Sequence, residues 1–543
     1  MNARLLVFMG LLFILVNCVN KIPKGAKPTD ICIYGATSAG ITAAIASAKE
    51  GSTVVLIATN KHLGGMSTAG LGSSDIDNHS SFQNSPAIGG LALEFYRRIA
   101  KAYNRLPEFE KALSHRTKDP GLWKFESSIA EKVFLDWLEE LNISIVYGRL
   151  SEKPNTVVKE GRVIKRITLE NGHQYEAAIF IDATYEGDLL AKAGISYVIG
   201  REAQATYGEL KNGIRCNSNY RQFQVKVDPY VEIGNPQSGL IHTIQEDTLN
   251  SCGEGDQRIQ AFCFRMCLTK EIGNKIPFSK PDHYHRNWYE IYLRYLNSGG
   301  KLYVPKAQLP NGKTDLGAWH DLSHNLYGYN HGYPDGNYET RDSIYGYHKN
   351  FTAGLFYFLA NDSEVPESLR SEWSKWGLAK DEFVDNGGWP RTLYIRDGRR
   401  MVSDYVITQK HTDSANLITI QKSVGMAYWP PDVHHVRRVV KDGYAYNEGF
   451  VFGGDDWRPF GISYDALIPK NKECSNLITP TCISSSHIGY GAIRLEWTFM
   501  VLGQSAGLAA TIASKKNITV QEVRYSDLRK SLLNNGQILQ LNK

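Results

Sequence analysis

The feature that most constrains the fold is a glycine-rich turn between two short apolar runs near the start of the chain. Residues 30–34 (DICIY) and 53–58 (TVVLIA) are rich in β-branched and apolar side chains, which predicts two buried strands. Between them, GATSAG at 35–40 leads into the small-residue run ITAAIASA at 41–48, which predicts a helix. A strand, turn, helix and strand in this order form a βαβ unit and predict an α/β fold.

The turn has the spacing of a Rossmann-type dinucleotide fingerprint with one substitution. Gly35 and Gly40 hold the outer glycine positions, and Thr37 stands in the middle one. The first glycine permits the tight turn, and the free N–H groups at the helix N-terminus attract a pyrophosphate. We therefore predict that these three residues, with Ser38 and Ala39, bind a dinucleotide.

The end of the second predicted strand departs from the fingerprint. Ala58 occupies the place where an acidic residue usually binds the adenosine ribose. Thr59 and Asn60 are polar and could replace that acid, while Lys61 leaves an NADP-like alternative open. The sequence leaves recognition of the ribose unassigned.

The segment KHLGGMSTAGLG at 61–72 favours FAD over NAD. Glycines lack a side chain, so the backbone of such a segment can lie flat against a large ligand. We predict cofactor contacts at Gly64, Gly65 and Met66. No second glycine-rich fingerprint follows residue 200, so an NAD(P)H-binding domain is not expected.

The chain of 543 residues exceeds the size of a single core and predicts more than one domain. From residue 204 to 389 the periodicity breaks up and aromatic side chains concentrate, which predicts an inserted α+β substrate or cap domain. The predicted parts are a cofactor domain in two pieces, 29–203 and 390–520, the insertion, and a C-terminal tail at 521–543. The aromatic side chains could stack on sugar rings or pack a small core of their own.

Residues 1–18 have the apolar run of a signal peptide, and Cys18 could be a lipid-anchoring cysteine, so we expect an extracytoplasmic protein, lipid-anchored or otherwise secreted. The net charge of +5 shows no long basic run, which argues against a nucleic-acid partner. Without Cys18, seven of the eight cysteines remain, an odd number that does not predict a disulfide framework. Cys263 and Cys267 are expected to be buried core residues.

Six ordered segments make the chain resemble the FAD-dependent oxidoreductase family, some of whose members are labelled xanthan lyase. They are GATSAGITAAIASA (35–48), KHLGGMSTAGLG (61–72), IDATYEGDLLAKAG (181–194), HKNFTAGLFYFLAND (348–362), RDGRRMVSDYV (396–406) and SSSHIGYGAIRLEWTFMVLGQSAGLAA (484–510). The resemblance implies a Rossmann-type FAD-binding domain like that of glutathione reductase. It does not specify a substrate.

The resemblance also implies further cofactor contacts. Asp182, Ala183 and Thr184 would end a strand of the FAD domain and pass near the dinucleotide. A helix over 502–514, with Gly503, Gln504 and Ser505 at its start, would direct its N-terminus at the flavin, where its partial positive charge stabilises the reduced ring.

Two side chains of the segment 484–494 are the candidate catalytic groups. His487 could accept the proton of a substrate hydroxyl, and Arg494 could bind a carboxylate. His434 and His435 follow Asp432, but adjacent side chains on a strand point to opposite faces, so we expect a polar wall and no metal site.

The predicted activity is hydride transfer from a C–OH centre of a carbohydrate-derived or hydroxy-acid substrate to FAD. The electrons would pass to oxygen, a quinone or a separate carrier, since the sequence has no haem or iron–sulfur motif. Two alternatives stay open, a polysaccharide lyase and a non-catalytic carbohydrate-binding lipoprotein.

Overall fold

A computed structural model describes residues 28–249, 251–415, 418–453 and 456–541. The predicted signal segment and Cys18 lie outside the described residues. Among the helices that are described, none has both the length and the apolar character required to cross a membrane.

The helices of the described ranges are numbered in chain order. They are α1 (Ser38–Lys49), α2 (Gly90–Ala102), α3 (Leu106–Ser114), α4 (Ser127–Glu140), α5 (Asp188–Lys192), α6 (Gln204–Tyr207), α7 (Glu290–Asn297), α8 (Tyr338–Asn361), α9 (Glu367–Ser374), α10 (Gln409–Thr412), α11 (His487–Gly491), α12 (Glu496–Lys516) and α13 (Tyr525–Asn534).

The strands of the same ranges are numbered in the same way. They are β1 (Thr29–Tyr34), β2 (Val54–Ala58), β3 (Ser144–Tyr147), β4 (Val157–Glu160), β5 (Val163–Thr168), β6 (Gln174–Asp182), β7 (Tyr197–Val198), β8 (Leu268–Thr269), β9 (Lys275–Pro277), β10 (Gly377–Ala379), β11 (Arg400–Met401), β12 (Ser423–Ala427), β13 (Asp432–Val433), β14 (Arg437–Lys441), β15 (Tyr444–Glu448), β16 (Val451–Phe452), β17 (Phe460–Ser463) and β18 (Leu477–Ile478).

The main sheet confirms the predicted α/β fold. Its order is β3-β2-β1-β6-β5-β4, and β18 also pairs with β6. The strands β3, β2, β1, β6 and β18 run parallel, while β4 and β5 continue the sheet in antiparallel pairing. The carboxyl ends of β1 and β6 lie side by side, with Tyr34 opposite Asp182, so the segments that follow both strands meet at one edge.

Helix α12 packs directly against α1, the helix of the βαβ unit. A Cβ at Gly503 would lie 2.1 Å from the Ala39 carbonyl oxygen, and one at Gly507 would lie 2.4 Å from that of Ala43. Thr42 donates from Oγ1 to the Met500 carbonyl oxygen at 2.9 Å. Only glycine permits this close contact between the two backbones.

The predicted start of this helix was wrong. Helix α12 begins at Glu496, not at Leu502, so Gly503 lies two turns inside it. Residues 496–511 are buried on every side, and a helix buried all round lacks the amphipathic pattern from which a start can be located.

The segment 204–389 forms a layer with its own small sheet, β8-β10-β9, and the long helix α8. A later hairpin, β14–β15, joins the same layer, because Ala445 donates its N–H to the Val227 carbonyl oxygen and Gln245 donates to that of Arg438. The layer therefore extends beyond the predicted boundary at 389.

Most of the aromatic side chains in this layer form its core. Tyr289, Tyr292, Tyr295 and Tyr327 are fully buried, which favours the core interpretation, whereas Trp319 is partly exposed. Cys263 and Cys267 are buried and free, as predicted.

Two features of the described residues differ from the expectations. Cys216 and Cys252 form a disulfide, although the odd cysteine count did not suggest bridges. The predicted C-terminal tail contains α13, whose Leu528 and Leu532 are buried. A single bridge has no spacing signal, and a helix of ten residues gives only a short periodic pattern.

We predict that Gly503→Ala lowers the free energy of unfolding by about 1–3 kcal/mol, because the added methyl group overlaps the α1 backbone. The matched control is Gly346→Ala, at an exposed position of α8 with no atom near the added carbon, which should gain up to about 1 kcal/mol. Chemical denaturation measures both. Equal effects of the two substitutions would contradict the tight α1–α12 contact.

Candidate active site

The turn after β1 has the shape that a dinucleotide requires. Gly35 has a φ of +105°, and a Cβ at Gly40 would lie 1.9 Å from the Gly35 carbonyl oxygen. Thr37, in the middle position, is the N-cap of α1 and accepts from the Gly40 N–H, while its Oγ1 donates to the Ala183 carbonyl oxygen at 2.7 Å. The threonine thus fixes the turn to the segment after β6, and Ser38 and Ala39 form the first turn of α1.

The second glycine-rich segment lies against this turn. The Gly64 N–H donates to the Ala36 carbonyl oxygen, and Gly64 and Gly65 have φ values of +102° and +60°. The Tyr185 hydroxyl accepts from the Met66 N–H at 2.9 Å. Residues 35–40, 64–66 and 182–184, from widely separated parts of the sequence, therefore lie together, and their contact with a cofactor stays a prediction.

Two adjoining cavities follow this edge of the sheet. The edge cavity has a volume of about 360 Å³ and the turn cavity about 50 Å³. Both are lined by Thr59, Asn60, Thr184, Glu186 and Thr392, and the turn cavity reaches Gly35, Thr37 and Gly65.

A buried carboxyl group connects this edge with α12. Glu496, the first residue of α12, accepts hydrogen bonds from the hydroxyls of Ser38 at 2.6 Å, Tyr185 at 2.6 Å and Ser67 at 3.4 Å. Burial raises the pKa of Glu496 to about 7, although these donors oppose the shift. The carboxyl lies between the starts of α1 and of the short helical turn at 65–68.

A further cavity, of about 490 Å³, lies next to the N-terminus of α12 and is here called the aromatic cavity. Its charged and imidazole side chains are Asp75, His79, Arg221, Arg265, Asp315, Asp432, His434 and Arg494, and its rings are Tyr220, Trp319, Tyr394, Trp429, Phe450 and Phe452. Leu495 lines it, immediately before Glu496, and Ser73, which directly follows the second glycine-rich segment, lines it as well. The segments 494–496 and 67–73 thus both connect the surroundings of the glycine turn with this cavity.

Two of the three arginines in the aromatic cavity are paired with acids. Arg265 Nε lies 2.6 Å from Asp315 Oδ1. Arg494 lies 3.4 Å from Asp432 Oδ2, and its Nη1 is 2.9 Å from the Tyr394 hydroxyl.

The third arginine has a different environment. Arg221 lies 3.9 Å above the Trp319 ring, and within the described ranges no acidic side chain is close enough to pair with it. An unpaired guanidinium stacked on a ring at a cavity wall can bind a carboxylate.

Among the titratable groups of this cavity, Asp75 and His434 have pKa shifts that bear on proton transfer. Burial raises the pKa of Asp75 to about 6, while nearby Arg265 lowers it. Burial, with Arg396 and Arg494, lowers the pKa of His434 well below its usual value, so this imidazole is neutral. Within the ranges described, no group of three or more potential metal ligands is present.

His434 and His435 point in different directions, as the alternation of an extended segment predicts. His434 lines the aromatic cavity. His435 is buried, with Nδ1 3.3 Å from the Tyr327 hydroxyl.

The predicted catalytic residues occupy separate environments. Arg494 lies on the aromatic cavity. His487 does not line it and is buried with Nδ1 3.0 Å from Asp397 Oδ2, while its backbone N–H donates to Glu202. The role of His487 stays a prediction.

The three residues predicted at the start of the helix over 502–514 lie inside α12 and form packing contacts. Gly503 touches α1. Gln504 accepts from the Leu91 N–H and donates to the Asn535 carbonyl oxygen, and Ser505 donates to that of Val424. The helix N-terminus at the site is Glu496, which sequence reasoning missed.

Sequence reasoning also missed Asp75, Arg221, Arg265 and Glu186. Glu496 had a signal, a charged residue opening an otherwise apolar run. The other four come from loops whose partners are distant in the chain, so no local pattern distinguishes them from surface residues.

The comparisons with known proteins agree with this arrangement. The family model for FAD dependent oxidoreductases matches residues 30–532, so the chain belongs to this family of flavoprotein enzymes. No curated protein matches the chain.

Solved flavoprotein structures match about a third of the chain. They include thioredoxin reductase from Streptococcus pyogenes (20% identity, 33% of this chain and 40% of that one, TM-score 0.17) and L-proline dehydrogenase from P. horikoshii (17%, 33% and 59%, TM-score 0.24). L-amino acid deaminase from Proteus vulgaris also matches (15%, 30% and 55%, TM-score 0.20). The chain spans about two fifths to three fifths of their lengths, and the family assignment rests on the family match alone.

The residues present fit FAD. The turn at Gly35 and the segment at Gly65 provide backbone free of side chains, and a Cβ on either would lie within 2.6 Å of a neighbouring atom. The N-terminus of α1 supplies the attraction for a pyrophosphate, and the turn cavity continues into a larger one along the sheet edge.

We predict that Glu496→Gln changes the pH dependence of stability in flavin-free protein. Because the folded-state pKa of about 7 exceeds the ordinary 4.5, the folded state holds the proton more tightly, and wild-type stability falls as pH rises between these values. This difference in pKa corresponds to about 3 kcal/mol of the free energy of unfolding. The amide of the variant cannot ionise, so its stability should not fall in this way. Denaturant titrations between pH 4.5 and about 7 measure the free energy of unfolding of both proteins, and parallel curves would disprove the assignment.

Proposed function

We propose that this enzyme oxidises a C–OH centre of a carbohydrate-derived or hydroxy-acid substrate bound in the aromatic cavity, with FAD as hydride acceptor. The observation that carries the proposal is the position of this cavity, which shares the segment Arg494–Glu496 with the cofactor turn. Its wall combines aromatic faces, suited to sugar rings, with an unpaired guanidinium, suited to a carboxylate.

The residues that would hold FAD are those of the glycine turn, the segment 64–66 and the segment 182–184. Bound FAD would accept the hydride at flavin N5. The chain itself would orient the substrate. Arg221 would bind its acidic group and Trp319 would cover its ring face, while Arg494, already held by Asp432 and Tyr394, would position a substrate oxygen.

Asp75 is the group we propose as acceptor of the hydroxyl proton. It lies on the aromatic cavity, and its Oδ1 accepts from the Asn78 side chain at 2.9 Å. A base with a pKa of about 6 is ionised at neutral pH and still takes up a proton readily. His434 is neutral and is a weaker base.

For wild-type enzyme we expect kcat/KM to rise with pH up to about 6 and then level off, as Asp75 ionises. Asp75→Asn should lower kcat/KM about a hundredfold or more and remove this rise. The control is Asp282→Asn at an exposed position, which should leave rate and profile unchanged. Steady-state rates across pH test the assignment, and a variant with the wild-type profile would refute it.

The reaction itself is tested by mixing oxidised enzyme anaerobically with sugars, uronates and hydroxy acids and following flavin absorbance. We expect bleaching with acidic members of this panel. Arg221→Gln should raise the KM for them about tenfold with little change in kcat, because it removes a charge-assisted contact. Lys280→Gln removes a cation stacked on Tyr284 outside the cavity and should have no effect. An unsaturated product without bleaching would instead establish the lyase alternative.

We also propose an extracytoplasmic location and an external electron acceptor, which is oxygen, a quinone or a separate carrier. The Cys216–Cys252 disulfide supports the location, since such bonds persist in oxidising compartments. Cell fractionation tests it, and recovery of the protein in the cytoplasm with both thiols reduced would reject it.

A further inference from the structure

Recognition of the adenosine ribose needs a substitute for the usual acid, since β2 ends in Ala58. The residues after it, Thr59 and Asn60, line both the edge cavity and the turn cavity. Asn60 already uses Oδ1 to accept the His62 N–H at 2.8 Å. A carboxylate that replaces the missing acid would have to come from another part of the chain and line the same two cavities.

Glu186 is the acidic residue that lines both cavities. The edge cavity has two further acids, but both face arginines. Asp188 lies 2.7 Å from Arg341 and 2.8 Å from Arg399, and Asp342 lies 3.7 Å from Arg149 at an exposed position.

The carboxylate of Glu186 has a free acceptor capacity. The Tyr333 hydroxyl donates to its Oε1 at 3.2 Å, and among the described residues no arginine or lysine forms an ion pair with it. A carboxylate offers about four lone-pair sites, so the Tyr333 hydroxyl and the backbone N–H of Glu186 itself leave other sites for a ligand.

The backbone holds Glu186 at the required place. It follows β6, whose last residue Asp182 is opposite Tyr34 at the end of β1. Arg399 Nη1 donates to the Glu186 carbonyl oxygen at 2.9 Å, which fixes the main chain at this residue. The loop after β6 thus brings its carboxylate to the same edge of the sheet as the end of β2.

We propose that the Glu186 carboxylate accepts hydrogen bonds from the ribose hydroxyls of the FAD adenosine, in place of the acid that is missing at Ala58. Two oxygens of one carboxylate match the two hydroxyls of a ribose, as the acid at the end of the second strand does in other dinucleotide-binding folds. The recognition group would thus follow β6 instead of β2, on the other side of β1 in the sheet.

The test uses flavin-free full-length protein and two probes, ADP and 2′-deoxy-ADP, in calorimetric titrations at mildly alkaline pH, because burial raises the pKa of Glu186. Wild-type protein should bind ADP about tenfold more tightly or better, the effect of one hydrogen bond to a charged group. Equal affinities of the wild type for the two probes would overturn the proposal without any variant.

Glu186→Gln should bind both probes alike and should weaken FAD binding about tenfold, measured by quenching of flavin fluorescence. The control Glu176→Gln changes an exposed carboxyl on β6 and should keep the wild-type preference. Ala58→Glu in the Glu186→Gln background should restore the preference. A Glu186→Gln protein that unfolds like wild type and still prefers ADP would overturn the proposal. These measurements involve no turnover, so an inactive enzyme with normal ribose preference would refute only the proposed function.

Discussion

The contact between α1 and α12 is the constraint on which the rest of the site depends. Because Gly503 and Gly507 lack side chains, the last long helix lies directly on the first one, and its start reaches the glycine turn. Glu496 is thereby buried against Ser38, and the preceding Arg494 and Leu495 face the aromatic cavity. A larger residue at Gly503 would push α12 away from α1. The glycine turn would then move away from Arg494 and Leu495, which line the aromatic cavity.

Some charged side chains of the site stabilise the structure by pairing with each other, and others have no ionic partner among the described residues. Buried acids and arginines mostly pair with each other, as Arg265 does with Asp315, and such pairs hold the loops that line the aromatic cavity. Arg221 and Glu186 are the exceptions that the proposals use, one at each end of the site. A charge kept at a cavity wall without an ionic partner retains its full capacity to bind a ligand of opposite charge or a hydroxyl.

The far wall of the aromatic cavity comes from the second layer. Tyr220, Arg221 and Trp319 belong to the segment predicted as an insertion, while Phe450 and Phe452 follow the hairpin β14–β15 that packs onto it. The disulfide between Cys216 and Cys252 closes the loop that carries Arg221. The proposed substrate-binding wall therefore comes from parts of the chain that lie outside the βαβ unit.

From the amino-acid sequence, glycine spacing and apolar runs predicted the βαβ unit, the parallel sheet and the cofactor, because they are local signals, while the family followed from the resemblance of six segments. The sequence also predicted the opposed directions of His434 and His435, and it pointed to Arg494, which lines the aromatic cavity and whose catalytic role stays a prediction. Three features depend on tertiary contacts: the start of α12, the burial of His487 beside Asp397, and the position of Asp75, Arg221 and Glu186 on cavity walls. The residues in contact are distant from each other in the chain, and a helix buried on all sides or a loop acid carries no periodic pattern that could reveal such contacts.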